Sequence, residues 1–314
     1  MTKRSPIKKL RHAAEAAGFL LLMGILRPLG LYGASWIGGK VTRAVGPWIG
    51  VTRNARRNLS MCFPDMSDHD INLIVTNMWE NIGRTFTEFA HLDKYDAFNG
   101  SGHITTKGQD VLAWIKSNSK GAIFISGHFA NWEVLPLVIS GYGLGGTEVY
   151  RAANNPIVDK WIIEKRKTNI FPSQAPKGKD GAKQLLHVLR ERQHIAMLVD
   201  QKMNEGISLP FLGHEAMTSD GAARLALTFD CPVVPVGITR VDGPEFEITV
   251  YPPLEIAPTR DRDADVASLT RAMNSWLEER IREAPSQWLW VHNRWPRPAT
   301  PSLLAAEIPP VTEA

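Results

Sequence analysis

The chain has 314 residues, 44% of them hydrophobic and 22% charged, which are the proportions of a globular protein and exclude a largely disordered one. Its net charge of +4 conceals an asymmetry: residues 1–60 hold eleven Lys or Arg and a single acid, Glu15, so the front carries +10 and the remainder −6. A basic end on a near-neutral body points to an anionic surface nearby, membrane or nucleic acid. The two cysteines, Cys62 and Cys231, lie far apart without metal-ligand spacing, which argues for a reducing compartment.

From Ala16 to Gly39 the only charge is Arg27. The run is long enough to cross a bilayer, but Arg27-Pro28 cuts it in the middle and basic residues flank both sides. An embedded or interfacial helical hairpin fits this pattern better than a straight crossing. A signal peptide and a buried core helix are the competing readings, and no clear small-x-small cleavage site follows Leu26. Trp36 and Trp48 suit a membrane–water boundary. Ser67-x-x-Asp70 resembles a capping box, and it opens a helix with Ile71, Ile74, Val75, Met78, Ile82, Phe86 and Phe89 on one face.

An α/β rhythm follows. Predicted strands are Ala122–Ser126, Thr147–Arg151, Ile195–Val199, Val233–Ile238 and Phe246–Tyr251. Predicted helices are Trp132–Ser140, Val158–Thr168, Asp180–Arg192, Ser219–Phe229 and Asp265–Glu283. The fold class is therefore α/β, a mixed, largely parallel central sheet flanked by helices, with an N-terminal membrane-associated helical segment. Residues 1–60 form a basic, apolar anchor, residues 61–297 the catalytic domain, and residues 298–314, rich in Pro and Ala, a flexible tail.

The stretch from Ala122 to Glu133 carries the chemistry. Ile123 to Ile125 reads as a buried strand that Ser126-Gly127 ends, so His128 stands at a strand end and Glu133 near the first turn of the next helix. On one continuous helix, residues five apart would point about 140° away from each other. Across a strand-to-helix turn they can converge, as a base and its orienting carboxylate must. A buried histidine beside a helix-start glutamate is the alternative. Tyr150-Arg151 closes a second strand, Arg166 lies in the basic end of the helix after it, and Asp200-Gln201 sits at the carboxyl end of a third, where α/β sheets build their sites. Other patterns fail: Gly141 to Gly146 is not a dinucleotide fingerprint, Ser126 lacks a nucleophile elbow, and no metal site is expected.

His128-Phe-x-Asn-Trp-Glu133, Tyr150-Arg151 with Asn155-Pro156, Asp200-Gln201, Pro210-Phe-Leu-Gly213, Pro232-Val-Val-Pro235 and the ending Gln287-Trp-Leu-Trp-Val-His-Asn-Arg-Trp295 occur in that order. Together they resemble the late acyltransferases of lipid A biosynthesis, the lauroyl/myristoyl branch of the lysophospholipid acyltransferase superfamily, over roughly residues 15 to 297. Two positions depart from the family pattern: Ala130 stands where glycine is common, and Leu212 replaces the second phenylalanine of the usual Phe-Phe-Gly.

The resemblance implies transfer of a fatty acyl group from an acyl carrier protein thioester to a hydroxyl of a lipid A precursor at the cytoplasmic face of the bacterial inner membrane. It implies no metal and no cofactor, and no nucleic acid partner. His128 is expected as general base, oriented by Glu133. Arg151 and Arg166 are expected to bind phosphates of the acceptor. Asp200, with Gln201, would hold the acceptor or one of those arginines. A glycerolipid, ornithine lipid or mannosylated lipid acceptor is the alternative within the superfamily, and a non-catalytic lipid-binding protein the alternative outside it.

Overall fold

A computed structural model describes residues 6–98, 103–118, 120–169, 171 and 173–296. The tail expected at 298–314 lies outside the described residues. The chain begins with α1 (Pro6–Leu26), a short 3-10 turn at Arg27–Leu29, and α2 (Gly30–Val45). The break falls where Arg27-Pro28 predicts it. Pro28 opens the turn and Gly30 adopts φ +66° after it, a backbone that glycine tolerates best. Arg27 does not stand alone in the apolar run. It donates to Asp93 at 2.9 Å and to the Ala90 carbonyl.

The stretch Ile7–Trp48 is long and apolar enough to cross a membrane, and only 22% of its most apolar window is buried. Ile7, Leu10, Leu21, Ile25, Trp36 and Trp48 are all exposed. One side of α2 is nevertheless core. It packs along α4 (Asp68–Glu88), which starts at the expected cap, with Ser67 accepting from the Asp70 N–H at 3.2 Å. A Cβ on Gly38 would come within 2.5 Å of the Gly83 carbonyl, and one on Gly83 within 2.2 Å of the Gly38 carbonyl. These two glycines let the helix backbones touch, which no other residue pair could. Helix α3 (Thr52–Cys62) follows α2 and adds Ala55 and Leu59 to the main core, where Leu31 of α2 also lies.

Seven strands build the sheet in the order β1-β9-β8-β2-β5-β3-β4. In chain order they are β1 (Ile104–Lys107), β2 (Ile123–Ser126), β3 (Gly146–Tyr150), β4 (Ser173–Pro176), β5 (His194–Leu198), β8 (Val233–Asp242) and β9 (Glu245–Val250). All neighbours are parallel except β8 and β9, which form an antiparallel pair. A separate antiparallel hairpin, β6 (Lys202–Phe211) and β7 (His214–Thr218), follows β5. The five predicted strands are all present. The edge strands β1 and β4 and the hairpin are not among them, because their sequences lack a buried apolar run. Strand β4 is Ser-Gln-Ala-Pro, and most of β6 is solvent-facing.

The helices after β1 are α5 (Gln109–Ser117), α6 (Leu135–Gly141), α7 (Pro156–Asn169), α8 (Lys179–Arg190), α9 (Gly221–Phe229) and α10 (Arg262–Glu283). All four residues of β2 are buried, as a strand covered on both faces requires. Its register with β5 pairs Ser126 with Leu198. Two residues beyond that pair stand His128 and Asp200.

Candidate active site

That register decides the geometry at His128. Parallel in-register strands deliver the residues just past their carboxyl ends to the same place. The His128 ring Nδ1 lies 2.7 Å from Asp200 Oδ1, and the His128 backbone N–H donates to Asp200 Oδ2 at 2.8 Å. Trp288 Nε1–H donates to the same Oδ2 at 2.8 Å. Asp200 is nearly inaccessible. Burial alone would raise its carboxyl, but the charge and hydrogen bonds of His128, with the Trp288 bond, outweigh that and bring it down to about 2. An ionised Asp200 holds the proton of the imidazole on Nδ1, which leaves Nε2 with its lone pair. A histidine so arranged has the geometry that a general base oriented by a carboxylate needs.

The carboxylate is not the one expected. Glu133 lies in a 3-10 turn, Trp132–Val134, capped by the Asn131 side chain, which accepts from the Glu133 N–H at 3.2 Å. Its carboxylate takes a two-pronged bond from Arg166 on α7, Nε to Oε2 at 2.9 Å and Nη2 to Oε1 at 2.7 Å. Trp132 Nε1–H adds a bond at 3.2 Å. The guanidinium fork matches both carboxylate oxygens, and Glu133 is thereby occupied away from the imidazole. Arg166, expected at an acceptor phosphate, is this buried partner instead. Its proton is held more firmly than usual: burial opposes the charge, but Glu133 and Glu148 more than restore it. Glu148 of β3 is half-buried beside the pair with its Oε2 enclosed, and desolvation with the charge of Glu133 pushes it up to about 7 despite Arg166.

Arg151 is exposed just past β3, near enough to Lys177 for the two charges to oppose one another. Gln201 faces the base. Its Nε2 lies 3.3 Å from His128 Nε2, and Lys177 Nζ is 3.5 Å from its Oε1.

Sequence reasoning did not find Trp288 as a site residue, although it stands in the quoted ending. In that ending Trp288, Trp290, Arg294 and Trp295 are buried and the residues between them half-buried. Arg294 donates to the Met217 carbonyl at 2.7 Å and to Thr218 Oγ1 at 2.6 Å and lies over the Phe211 ring, while Trp295 Nε1–H donates to the Phe211 carbonyl at 3.2 Å. It clamps the β6–β7 hairpin and supplies the indole that fixes Asp200. Ala130 has φ +42°, which explains why glycine suits that position. Asn81 and Thr85 of α4 hold its carbonyl at 3.1 and 2.8 Å. Leu212 occupies the hairpin turn with φ +49° and is buried there.

A cavity of about 240 Å³ opens beside the site. Phe19 and Met23 of α1, Ile82 and Phe86 of α4, and Ile162 of α7 line its apolar part, and Glu133, Arg166 and Trp132 its inner end. The Trp132 ring meets His128 edge-on with centroids 5.1 Å apart, so the cavity ends next to the base.

Comparison with known proteins gives these features a family. The profile of the bacterial lipid A biosynthesis acyltransferases matches residues 4–297. The chain is 25% identical over 260 residues to lipid A biosynthesis acyltransferase 2 of Shigella flexneri, covering 80% of this chain and 81% of that one. It is also 25% identical to the lipid A biosynthesis lauroyltransferase of Escherichia coli K12, over 76% of this chain and 77% of the other. With the myristoyltransferase of the same organism it shares 22% identity, over 76% and 73%.

Proposed function

We propose, since the chain belongs to the bacterial lipid A biosynthesis acyltransferase family, that it transfers a fatty acyl chain from an acyl carrier protein thioester to a hydroxyl of a lipid A precursor, with His128 as general base oriented by Asp200. The observation that carries this mechanism is the 2.7 Å contact of His128 Nδ1 with a buried, ionised Asp200. A hydroxyl is a weak nucleophile at neutral pH, so its proton must leave as it attacks. Nε2 is the atom that receives it. Asp200 stabilises the imidazolium that forms, and the thioester, already reactive, loses its thiol when the tetrahedral intermediate collapses.

Glu133 and Arg166 have a different task. They cap the inner end of an apolar cavity with a pair that is neutral overall, so a hydrocarbon tail threaded past Trp132 meets no uncompensated charge. We assign the donor's acyl tail to this cavity. Lys177, 3.5 Å from Gln201, and the exposed Arg151 near it suit the phosphates of the acceptor. The exposed apolar residues of α1 and α2, with basic residues before and after them, support seating on anionic lipid at the cytoplasmic face of the inner membrane, where donor and acceptor meet.

The test is direct. Purified protein, acyl carrier protein loaded with one fatty acid, and a lipid A precursor should yield a precursor heavier by one acyl group in the mass spectrum. No product from any chain length of donor, with the protein folded, would refute the reading.

A further inference from the structure

We propose that Gln201 is a catalytic residue: its side-chain amide rests on the base and, when substrate arrives, turns to the thioester carbonyl and stabilises the oxyanion that forms there. The inference rests on the acyl-transfer reading above. It begins from what the catalytic loop cannot supply. In many acyl-transfer sites backbone N–H groups hold the oxyanion. Here the N–H of His128 is given to Asp200, that of Phe129 to the Gly127 carbonyl at 2.8 Å, and that of Ala130 to the Gln287 carbonyl at 2.9 Å. Arg166 Nε and Nη2 and the Trp132 indole are given to Glu133. The donors of the three residues from His128 to Ala130 are thus already in use.

Gln201 has one whose partner the reaction removes. Because Nδ1 carries the proton, His128 Nε2 presents a lone pair, and the group 3.3 Å from it must be the NH2 of the amide. The other end agrees, since Lys177 Nζ is a donor and faces Oε1. The nucleophilic hydroxyl must come within about 2.6–3.2 Å of that same Nε2, so it displaces the amide. The freed NH2 is then beside the reacting carbon and without an acceptor, a costly state in a partly buried site. The carbonyl oxygen, gaining charge as the hydroxyl adds, is the acceptor that has just arrived. Its backbone keeps the amide in place. Asp200 is fixed by three hydrogen bonds on one side, and on the other the Lys202 N–H donates to His292 Nε2 at 3.0 Å.

The step balances. The hydroxyl oxygen bonds to the carbonyl carbon and its proton passes to His128 Nε2. The carbonyl π pair becomes the oxyanion held by Gln201. Collapse re-forms the carbonyl, breaks the carbon–sulfur bond, and returns the proton from the imidazolium to the thiolate, giving ester and thiol.

Gln201→Ala should lower kcat by about 10²–10³-fold, with the KM of donor and acceptor changed less than about threefold. Gln201→Glu, which cannot donate, should fall at least as far. Ring 15N spectra of His128 in the substrate-free protein, selectively labelled, should show Nε2 losing a hydrogen bond in Gln201→Ala while Nδ1 keeps its own. Wild-type kcat in Gln201→Ala, or a loss confined to the KM of the acceptor, would overturn the proposal. An unchanged Nε2 resonance would overturn the resting contact on which it is built. The spectra need no substrate, so wild-type protein that shows the contact and transfers no acyl group would refute the acyl-transfer reading instead.

Discussion

Two carboxylates sit within reach of the same loop and have opposite fates. Asp200 stands at the end of β5 and takes the imidazole of His128. Glu133 stands in the turn after β2 and takes the guanidinium of Arg166. The first pair joins a permanent anion to a group that gains and loses a proton, so it can do chemistry. The second joins a carboxylate to a guanidinium by two parallel bonds, so it holds α7 against the loop of His128 and lines the cavity. Five residues of sequence separate His128 from Glu133 and seventy-two separate it from Asp200, yet strand register favours the distant one.

Removing the reactive pair should have the largest effect. His128→Ala and Asp200→Ala should each lower transfer by about 10²–10⁴-fold, with Asp200→Ala also lowering Tm because it strands the His128 N–H and the Trp288 indole. Asp200→Asn sharpens the point, since it keeps the shape and loses the charge that favours the imidazolium. A wild-type rate in Asp200→Ala, measured by product mass, would return the orienting role to Glu133.

Breaking the other pair should act first on stability. Glu133→Ala takes from a largely buried guanidinium its two-pronged partner and leaves it only the charge of Glu148, which should cost about 3–5 kcal/mol in denaturant unfolding. The double change Glu133→Leu, Arg166→Met, which removes both charges, should recover most of that loss. If Glu133→Ala abolishes activity while unfolding is unchanged, Glu133 belongs with the chemistry and the contrast fails.

Glu148 gives a smaller effect that depends on pH. Its carboxyl is raised from 4.5 to about 7 in the folded protein, mainly by burial. The folded state therefore keeps a proton that the unfolded state releases. The associated stability is full below pH 4.5, falls as pH rises through 7, and is constant above. Glu148→Gln should remove that slope and gain roughly 1–3 kcal/mol at pH 8. Unfolding curves at pH 5 and pH 8 with the same difference in mutant and wild type would rule this out. The smallest effect is expected at the exposed Arg151, where Arg151→Ala should raise the KM of the acceptor a few-fold and leave that of the donor unchanged.

The contrast also explains what could be read from the sequence. The five strands with β-branched or apolar runs, the break at Arg27-Pro28 and the Ser67 cap are local properties, and local patterns reveal them. His128 and Asp200 were legible as residues at strand ends. Their partnership was not, because it depends on β5 lying next to β2 in register, a fact of topology. Trp288 was visible only as part of an aromatic ending, in which nothing distinguishes the indole that touches Asp200 from the others. Strands β1 and β4 escaped because edge strands with polar residues lack the apolar signature of a central one.

One contact in the helical layer bears on how this protein could be re-engineered. Glu88, at the end of α4, is fully buried and shares its carboxylate among three elements. Ser35 of α2 donates to Oε1 at 2.7 Å, Asn131 of the catalytic loop donates to Oε2 at 2.8 Å, and Arg240 of β8 supplies the countercharge. A membrane tether that serves only to keep an enzyme at a surface is modular: it can be traded for any other of equal greasiness. This one cannot be. A foreign helix of the same apolar character spliced in for α2, without a hydroxyl at position 35 and a glycine at 38, would leave Glu88 one donor short and stand off from α4. The apolar N-terminal segment is thus tied through Glu88 to the loop that carries His128, and chimeras made at this junction should inherit a poorly set imidazole along with their new helix.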